Sequence, residues 1–530
     1  MEKISRVKIV MLESVFEQIK EALRWDKGDE MERAVYLLCH RTHYGSHLKL
    51  MPYLVIVPEE KDYVSRSAGH CKLDKPFINK AINMAIADQA DMILTHIHPP
   101  DFPAEFSWID DEGDRRLMGH IADDVEGIGQ GALVFGNSMD TIDSRFYDHR
   151  KKDFIPVDKL VVVGKKRLQV FVPWRSLMLE EQVRPTLSKI DRINSESLLT
   201  KIINISSRLF RRKWHDTSGV LDRTIKVFGK DAVKLLGFLD VGVVGASALG
   251  GPILEMLGRD RVNSITLCDP DIIEETNLNR LPATCASDIG KPKVAHYSDY
   301  LSLIAPEIPV TAIQKSFYDH EAQSAFSYVD VIIGCVDSVA RFSINQLACA
   351  NLIPYFDLGA AIVVESGKPS LIGGQVYSII PGREVCLLCA GVFGNLRNDY
   401  LSPSHKEKEI ERGFIKSDED IAKPLTMFLD YTIAGIGYHQ MLKYIWGYDD
   451  VGLFSVHYDG VKNRMVPVTC ERTGCMVCLP TAWLGMGDKV PAKVPAVDRI
   501  PGANDSVPRI EASDNTNTSN PHALCGHNEG

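Results

Sequence analysis

The chain has 530 residues, a formal net charge of −10, and 45% hydrophobic and 25% charged residues, a composition typical of a soluble globular protein with roughly two to four domains. The acidic balance excludes a general affinity for nucleic acid, and no apolar run reaches transmembrane length, so no membrane association is expected. Twelve cysteines are too few for a disulfide scaffold, and the first residues lack a secretory signal. These features predict a cytoplasmic protein whose paired cysteines bind metal.

Four segments are predicted along the chain. Residues 1–175 alternate short apolar runs with a helical stretch, which predicts an α/β domain. Residues 176–222 are polar and helical and form a connector. Residues 223–486 alternate strands and helices, the pattern of a predominantly parallel sheet covered on both faces. Residues 487–530 are rich in Pro, Asn, Ser and Asp, which predicts a disordered tail.

Two histidines on a predicted strand of the first segment can meet one metal ion. His96 and His98 lie in DMILTHIH, and alternate residues of a strand face the same way. Ser107 and Asp110 follow in S-W-I-D, and Glu32 begins the earlier strand. A simpler alternative stays open, in which Ser107 and Asp110 only cap a helix and H-x-H belongs to an ordinary strand.

The order glutamate, H-x-H-P and S-x-x-D resembles the JAB/JAMM metalloprotease family over about residues 10–150. The resemblance implies a JAB-like α/β domain with a catalytic zinc on His96, His98 and Asp110 and a fourth position open for water. The gap between the second histidine and the serine is one residue longer than usual. Asp111 is therefore a competing ligand.

The same resemblance assigns two further roles. Glu32 would act as the general base, and Ser107 would donate to the developing oxyanion. The family cleaves after the C-terminal glycine of ubiquitin-like proteins, so the resemblance implies that kind of substrate.

A glycine-rich turn opens the second predicted domain. The strand VGVV runs into G-A-S-A-L-G-G, where Gly245 and Gly250 allow a tight turn and a close approach of phosphates to a helix N-terminus. Ser247 stands where the second glycine of this motif usually lies. Asp269 ends the next strand, where an acidic residue binds ribose hydroxyls. The pattern alone also fits a domain that binds NAD.

The segments that follow resemble the ThiF/MoeB/HesA family of ubiquitin-activating-type adenylyltransferases over residues 220–480. They contain an aspartate pair, N-L-N-R, G-x-x-K, and a segment like the one that carries the family's magnesium aspartate. The matching residues expected at the nucleotide are Asp269, Asp271, Asn277, Arg280, Lys293 and Asp337. The resemblance implies a Rossmann-like ATP-binding domain.

It also implies a reaction in which a carboxylate attacks the α-phosphate of ATP and gives an acyl adenylate and pyrophosphate. Such a reaction depends on charge neutralisation and positioning. Arg280 and Lys293 would hold the phosphates, Asp337 would hold Mg²⁺, and Asp269 would hold the ribose. Arg223 resembles an arginine that one subunit of a family homodimer donates to the other.

Two C-x-x-C pairs predict a structural zinc site. They are Cys386 with Cys389 and Cys475 with Cys478, and many members of the resembled family carry such pairs. Cys470 is an alternative ligand. The other possibility is four unrelated thiols.

Conjugating members of the family carry a thioester-forming cysteine, often in the crossover segment. Between Cys389 and Cys470 this chain has no cysteine. Cys285 and Cys525 are the remaining candidates, although an ordinary thiol is the simpler interpretation of each.

Together the two resemblances imply one partner, a β-grasp protein with a C-terminal glycine that is adenylated by one domain and trimmed or deconjugated by the other. The resemblances further imply a conjugating enzyme as a partner and a bacterial ubiquitin-like system, including antiphage defence, as the context. The implied cofactors are ATP, Mg²⁺ and two Zn²⁺ ions. Two alternatives stay open. One is adenylation of a sulfur carrier in thiamine, molybdopterin or cysteine biosynthesis, which the missing crossover cysteine favours. The other is a non-catalytic scaffold that binds the modifier.

Overall fold

The computed structural model describes residues 4–24, 31–99, 102–173, 219–336, 340–365, 367–392, 425–448, 454–470, 475, 477–479 and 483–490. Most of the predicted connector, the loop after Cys389, Asp337 and Cys525 lie outside these residues. Within the described ranges, no helix is long and apolar enough to cross a bilayer.

Where it is described, the N-terminal half contains a large sheet, a small hairpin and three α-helices. The sheet strands are β1 (Arg6–Leu12), β2 (Arg33–Tyr44), β3 (His47–Ile56), β6 (Asp91–Ile97), β7 (Gln130–Phe135), β8 (Ile142–Asp148), β9 (Asp153–Val163) and β10 (Leu168–Phe171). The hairpin strands are β4 (Tyr63–Ser67) and β5 (His70–Leu73), and the helices are α1 (Glu13–Leu23), α2 (Lys75–Asp88) and α3 (Trp108–Asp124).

The sheet of this half closes on itself like a barrel. Its strand order is β1-β3-β2-β6-β7-β8-β9-β10, and β9 also pairs with β1 in parallel. Phe16, Phe135 and Phe146 are buried in its apolar core. The sequence predicted the strand that carries His96 and His98, which is β6, and the earlier strand that follows Glu32, which is β2. The closure through β1 and β9 was not predicted, because it joins the first and almost the last strand of the half.

The C-terminal half contains a second sheet of eight strands with helices. The strands are β11 (Asp240–Val244), β12 (Ser264–Cys268), β13 (Val310–Ile313), β14 (Val331–Gly334), β15 (Tyr355–Glu365), β16 (Lys368–Ile379), β17 (Ser455–Asp459) and β18 (Arg464–Val468). The helices are α4 (Asp222–Phe228), α5 (Lys230–Leu236), α6 (Gly250–Arg259), α7 (Lys293–Ile304), α8 (His320–Ser327), α9 (Ala340–Ala350) and α10 (Met427–Trp446).

This second sheet is mixed rather than predominantly parallel. Its order is β13-β12-β11-β14-β15-β16-β17-β18. The first five strands are parallel, whereas β15 to β18 form an antiparallel meander. The parallel strands end at one common edge, the edge at which nucleotides bind in α/β sheets.

The barrel-like half covers the opposite edge of this sheet. Lys8 of β1 lies 2.8 Å from Asp330, and Lys159 of β9 lies 2.9 Å from Asp240 and also contacts Asp330. Asp240 begins β11 and Asp330 immediately precedes β14. All four side chains are buried. The two halves therefore meet through buried ion pairs at the amino-terminal ends of the parallel strands.

The predicted boundary of the tail at 487 is too early. The backbone N of His43 donates to Asp488 Oδ2 at 3.1 Å, and Lys489 bonds the carbonyl of Asp88. Gly487 has a φ of +53°, and a Cβ there would lie 2.3 Å from the carbonyl oxygen of Arg41. Residues 487–490 therefore pack against the barrel-like half.

Candidate functional site

Two glycines fix the turn that follows β11. Gly245 adopts a φ of +95°, which favours glycine, and its N donates to the carbonyl of Cys268 at 2.8 Å. A Cβ on Gly245 would lie 2.7 Å from the carbonyl oxygen of Cys335, and one on Gly250 would lie 1.9 Å from that of Gly245. Neither position accepts a side chain, so the loop keeps its backbone open to a phosphate.

Asp269 organises the carboxyl edge of the sheet. Its Oδ2 accepts from Ala246 N at 2.7 Å and its Oδ1 accepts from Asp271 N at 2.9 Å. Burial raises its pKa, while the charge of Lys293 acts in the opposite direction. Lys293 Nζ lies 2.8 Å from Asp271 Oδ2. The structure thus brings Gly245, Asp269, Asp271 and Lys293 together.

The N-L-N-R motif forms a turn beside this edge. Asn277 is buried, and its Oδ1 accepts from Glu274 N at 3.2 Å, which stabilises the turn. Arg280 is half-buried and donates to the carbonyl of Thr276 and to Asn279 Oδ1. Asn277 therefore has a structural task in the turn, and the guanidinium of Arg280 rests on the backbone of the same turn.

Three other residues expected at the nucleotide are not among the side chains that meet at this edge in the described contacts. Ser247 is half-buried, and its carbonyl accepts from Gly251 N at 2.8 Å at the start of α6. Arg223 is exposed on α4, and its role in a second subunit stays a prediction. Asp337 lies outside the described residues. A few residues later, Arg341 Nε lies 3.1 Å from both carboxylate oxygens of the buried Asp357.

Sequence reasoning missed one residue here, Asp430. It is buried in the first turn of α10. Burial raises its pKa to about 6, and the nearby charge of Arg280 opposes this shift. No motif marks it. The available signal was a single acidic residue within the apolar stretch MFLDYTIAGIG.

The four cysteines of the C-x-x-C pairs converge. The Sγ–Sγ distances are 3.6 Å between Cys386 and Cys475, 3.3 Å between Cys389 and Cys478, and 3.5 Å between Cys475 and Cys478. Tetrahedral coordination with Zn–S bonds of about 2.3 Å places sulfurs about 3.8 Å apart, so the arrangement suits zinc. Cys470 is not in the group of atoms that lie within 4.8 Å of one another.

The zinc-type cluster is tied to the Rossmann-type core. Asn345 of α9 is fully buried, and its Oδ1 accepts from the backbone N of Leu387, inside the first C-x-x-C pair, at 3.1 Å. The cluster therefore braces the helix that follows the segment of Asp337.

A second group of ligand atoms lies at the end of β6. His96 Nε2 and His98 Nε2 are 3.2 Å apart, and the carboxylate of Asp110 lies 3.8 and 4.0 Å from them. His98 Nδ1 bonds the carbonyl of Pro103 at 2.8 Å, so this nitrogen donates and Nε2 keeps a lone pair for a metal. Burial lowers the pKa of His96 to about 4. These three side chains can hold a metal ion together.

The first turn of α3 shows why Asp110 and Asp111 differ. Ser107 Oγ donates to Asp110 Oδ2 at 2.7 Å, and Asp110 N donates to Ser107 Oγ. Ser107 is therefore the helix cap that the simpler alternative proposed, and the same bond holds the Asp110 carboxylate beside the histidines. Asp111 instead pairs with Arg145. The extra residue in the spacing does not bring Asp111 into the group.

Glu32 lies just before β2 and is 5% exposed. Burial raises its pKa to about 8, and the negative charge of Asp110 adds to the shift. Glu32 is thus within electrostatic reach of the ligand group, and its proton affinity is suited to proton transfer near neutral pH.

Cys285 is exposed beyond the N-L-N-R turn. Its Sγ lies 3.1 Å from both Ser287 Oγ and Asp288 Oδ2. Cys285 thus caps the short helical turn Ala286–Asp288, and its thiol donates to the carboxylate that closes this turn.

Residues 221–479 match the family model described as "ThiF family". Ubiquitin-like modifier-activating enzyme 5 of Dictyostelium discoideum is 30% identical over 260 residues, which cover 45% of this chain and 62% of that protein. The enzyme of the same name from Drosophila melanogaster is 25% identical over 256 residues, with coverages of 45% and 58%. Adenylyltransferase and sulfurtransferase UBA4 of Yarrowia lipolytica is 31% identical over 139 residues, with coverages of 26% and 34%. The chain spans about three fifths of the length of the first two relatives.

Among solved structures, E. coli MccB with ATP is similar with a TM-score of 0.40 and 18% identity, covering 49% of this chain and 74% of that one. Microcin C7 biosynthetic enzyme MccB in complex with N-formylated MccA has a TM-score of 0.42 and 15% identity, with coverages of 61% and 98%. Likenesses at this level carry no argument about function.

Proposed function

We propose that the Rossmann-type half activates the C-terminal carboxylate of a ubiquitin-like or sulfur-carrier protein by ATP-dependent adenylation. The observation that carries the proposal is the convergence of Gly245, Asp269, Asp271 and Lys293 at the carboxyl edge of the sheet, inside the stretch that matches the ThiF family. The names of the relatives, a modifier-activating enzyme and an adenylyltransferase, support it.

In the proposed reaction, a carboxylate oxygen of the carrier's terminal glycine attacks the α-phosphorus of ATP, and the bond to pyrophosphate breaks. Lys293 and Arg280 neutralise the phosphates, and Asp269 accepts from the ribose. Asp337, outside the described residues, is the proposed ligand of a Mg²⁺ ion, which would supply further charge neutralisation. We further propose a homodimer in which the exposed Arg223 serves the neighbouring subunit.

A paired substitution tests this proposal. Lys293→Ala should abolish carrier-dependent exchange of pyrophosphate into ATP, because a buried phosphate-binding cation is lost. Lys291→Ala is the matched control, since Lys291 is two residues away, half exposed, and paired with Asp288. Equal exchange by the two variants would refute the assignment of Lys293.

The fate of the adenylate separates conjugation from sulfur transfer. In conjugation, a thiol displaces AMP and forms a thioester, and Cys285 is the exposed candidate among the described residues. In sulfur transfer, a sulfur donor attacks the adenylate and no enzyme cysteine is required. A carrier–enzyme band that disappears with reductant and in Cys285→Ser would favour conjugation, and its absence despite exchange would favour a sulfur carrier.

We propose that the four cysteines hold a structural zinc ion, because their spacing suits tetrahedral thiolate coordination and the cluster braces α9.

We propose further that the barrel-like half is a JAMM-type hydrolase that cuts the amide bond after the carrier's glycine. The observation that favours it is the group of His96, His98 and Asp110 with Glu32 in electrostatic reach. A zinc ion on the three ligands would supply Lewis acidity. Glu32 would take a proton from the attacking water and pass it to the departing amine. The Ser107 hydroxyl, which donates to Asp110 in this structure, would turn to donate to the developing oxyanion.

Cleavage of a carrier that bears extra residues after its glycine tests this second activity. Glu32→Gln should keep the metal and lose cleavage, whereas His98→Ala should lose both. Cleavage that survives in Glu32→Gln would refute the role of Glu32. A wild-type site that holds no metal would refute the hydrolase, and the barrel-like half would then be a module that only binds the carrier.

A further inference from the structure

Asp430 is a buried carboxylate near the proposed nucleotide site. It lies in the first turn of α10 and is 1% exposed, and its Oδ2 has no hydrogen-bond partner among the described residues. A buried carboxylate without a partner is costly, because it loses its hydration and gains no compensating bond. Its presence in an otherwise apolar stretch therefore indicates a task beyond packing.

The packing of α10 places this turn at the nucleotide end of the domain. Tyr438 OH donates at 2.7 Å to Asp260 Oδ2, at the carboxyl end of α6. Two turns later, Trp446 Nε1 donates at 2.8 Å to the carbonyl of Ala232 in α5, on the side where β11 begins. The carboxyl end of α10 thus faces away from the nucleotide edge. Its amino end, with Asp430, lies toward the start of α6 and the glycine loop.

Arg280 reaches the same place from the N-L-N-R turn. Pro282 packs against the start of α6, where a Cβ on Gly251 would lie 2.5 Å from Pro282 Cγ. The guanidinium of Arg280 donates to the carbonyl of Thr276 and, at 3.2 Å, to Asn279 Oδ1. Its Nε is buried and has no partner within the described part of the chain. A donor and an acceptor are therefore both unsatisfied around the amino end of α10.

The charges around this turn are few. Arg280 is the charged side chain that acts on Asp430 and opposes the effect of burial, which raises the pKa of Asp430 to about 6. The other titratable side chains on α6, α7 and α10 near this turn are Glu255, Tyr297, Tyr300 and Tyr431. Glu255 pairs with Arg259, and burial raises the pKa of the three phenols. The phenols therefore do not titrate near the pKa of Asp430.

We infer that Asp430 is a positioning residue that orients the guanidinium of Arg280 toward the phosphates of ATP. The inference deepens the proposed adenylation and rests on it. Ionised Asp430 offers the acceptor that Nε lacks, and a guanidinium held through Nε keeps its other nitrogens in a fixed plane for a phosphate. Protonated Asp430 loses that attraction, so Arg280 stays on its backbone contact at Thr276.

A double-mutant cycle on the full chain tests this inference, with the affinity for MgATP as the readout. At neutral pH, Asp430→Asn should weaken MgATP binding by roughly tenfold through misplacement of Arg280. Arg280→Ala should weaken it at least as much. Asp430→Asn should cost nothing further in the Arg280→Ala background, because a positioning residue acts only through its target.

Asp260→Asn provides the matched control. Asp260 also bonds to α10, but through Tyr438, two turns beyond Asp430 and next to the carboxyl end of α6, and burial raises its pKa as well. This variant should keep the wild-type affinity for MgATP even if it lowers the melting temperature. The same loss of affinity in Asp260→Asn and Asp430→Asn would show a general effect of helix packing and would overturn the inference.

The pH dependence gives a second readout. Wild-type affinity should fall as the pH drops through about 6, where Asp430 takes up a proton, and this decline should be shallower in Asp430→Asn, where ATP and Asp269 still take up protons. The inference would be overturned if Asp430→Asn weakened MgATP binding equally in the presence and absence of Arg280. It would also be overturned if the acidic decline in MgATP affinity were the same in Asp430→Asn as in the wild type. If the wild type binds MgATP but catalyses no carrier-dependent exchange, the proposed adenylation is refuted, whereas the double-mutant cycle still decides the role of Asp430. No MgATP binding by the wild type would refute both.

Discussion

Ser107 and Asp110 bond each other in both directions: Ser107 Oγ donates to Asp110 Oδ2 at 2.7 Å, and Asp110 N donates to Ser107 Oγ at 3.2 Å. This pair begins α3 and also holds the carboxylate beside His96 and His98. Helix capping and the proposed metal binding are therefore properties of the same two side chains, and the capping pattern in the sequence did not argue against a metal site.

Asp110 and Asp111 should differ sharply in their effect on metal content. Asp110→Asn removes an anionic ligand from the proposed site and should lower bound zinc by close to one ion per chain in elemental analysis. Asp111→Asn removes the partner of Arg145 and should keep the ion. A loss of zinc in Asp111→Asn alone would show that the longer spacing shifts the ligand by one residue.

Replacing Cys386 and Cys478 with serine should remove the other zinc ion. Structural zinc contributes folding free energy of several kcal/mol, so the double variant should also melt at a lower temperature. Cys470→Ser is the control, because Cys470 lies outside the four-sulfur group, and it should keep both the zinc and the melting temperature. Unchanged zinc content in the double variant would refute the site.

Local patterns predicted which of these side chains lie close together where short spacings decide it. His96 and His98 share a face through strand alternation, and Gly245 and Gly250 occupy positions where the backbone leaves no room for a Cβ. Asp430 could not be assigned in this way, since its relation to Arg280 depends on how α10 packs along α6.

The sequence also did not predict the joint between the two halves, where β1, β3 and β9 cover the amino-terminal edge of the second sheet. Lys8, Lys49 and Lys159 lie on strands, and a lysine on a strand predicts a solvent-facing position. In the structure all three are fully buried, because the strands that carry them cover the amino-terminal edge of the second sheet. Lys49 bonds the carbonyl of Asn351, and the acidic partners of Lys8 and Lys159 are more than 80 residues away in the chain, so no local pattern identifies these contacts.

Asp330→Asn should strongly destabilise the joint. Asp330 pairs with both Lys8 and Lys159, and all three side chains are fully buried. Removing the negative charge leaves the buried Lys8 without an acidic partner and Lys159 with Asp240 alone, which should cost about 3–5 kcal/mol in the free energy of unfolding measured with urea. Asp158→Asn removes a partly exposed pair with Arg6 and should cost under about 1 kcal/mol. Similar costs for both variants would contradict this account.

The same joint should weaken in acid through His47. Its ring lies 4.9 Å from that of Tyr328 across the joint, and its Nδ1 is buried. Burial and the charge of Arg6 lower its pKa from 6.5 to about 4. Between these values the unfolded chain binds the proton and the folded chain does not, so this contribution to stability is lost as the pH falls through that window.

The melting temperature of the wild type should therefore decline from pH 6.5 toward 4, and His47→Gln should decline less steeply. His120→Gln, on an exposed position of α3, should follow the wild type. A slope that is the same in His47→Gln and the wild type would assign the acid sensitivity to other groups.

The two proposed active sites lie at far ends of the molecule. Arg33, at the start of β2, pairs with Ile97 beside the histidines, whereas Thr42, near the end of β2, bonds Asn351 of the C-terminal half at 2.7 Å. The twelve residues of β2 span roughly 35 Å. The glycine loop lies beyond the joint, at the opposite edge of the second sheet. A carrier tail of a few residues cannot reach both sites while its globular part stays bound in one place.

Trimming and adenylation should therefore be separate binding events with free carrier between them. With a carrier that bears a C-terminal extension, pyrophosphate release requires both activities. The Glu32→Gln protein and the Lys293→Ala protein should each be inactive alone in this coupled assay. A mixture of the two should reproduce the wild-type rate when each intact site is present at the wild-type concentration. An excess of Lys293→Ala protein whose hydrolase site carries Glu32→Gln should lower the wild-type rate, because it binds the released, trimmed carrier without adenylating it. A wild-type rate well above that of the mixture, together with resistance to this competitor, would show direct transfer within one molecule and would contradict the separation of the sites.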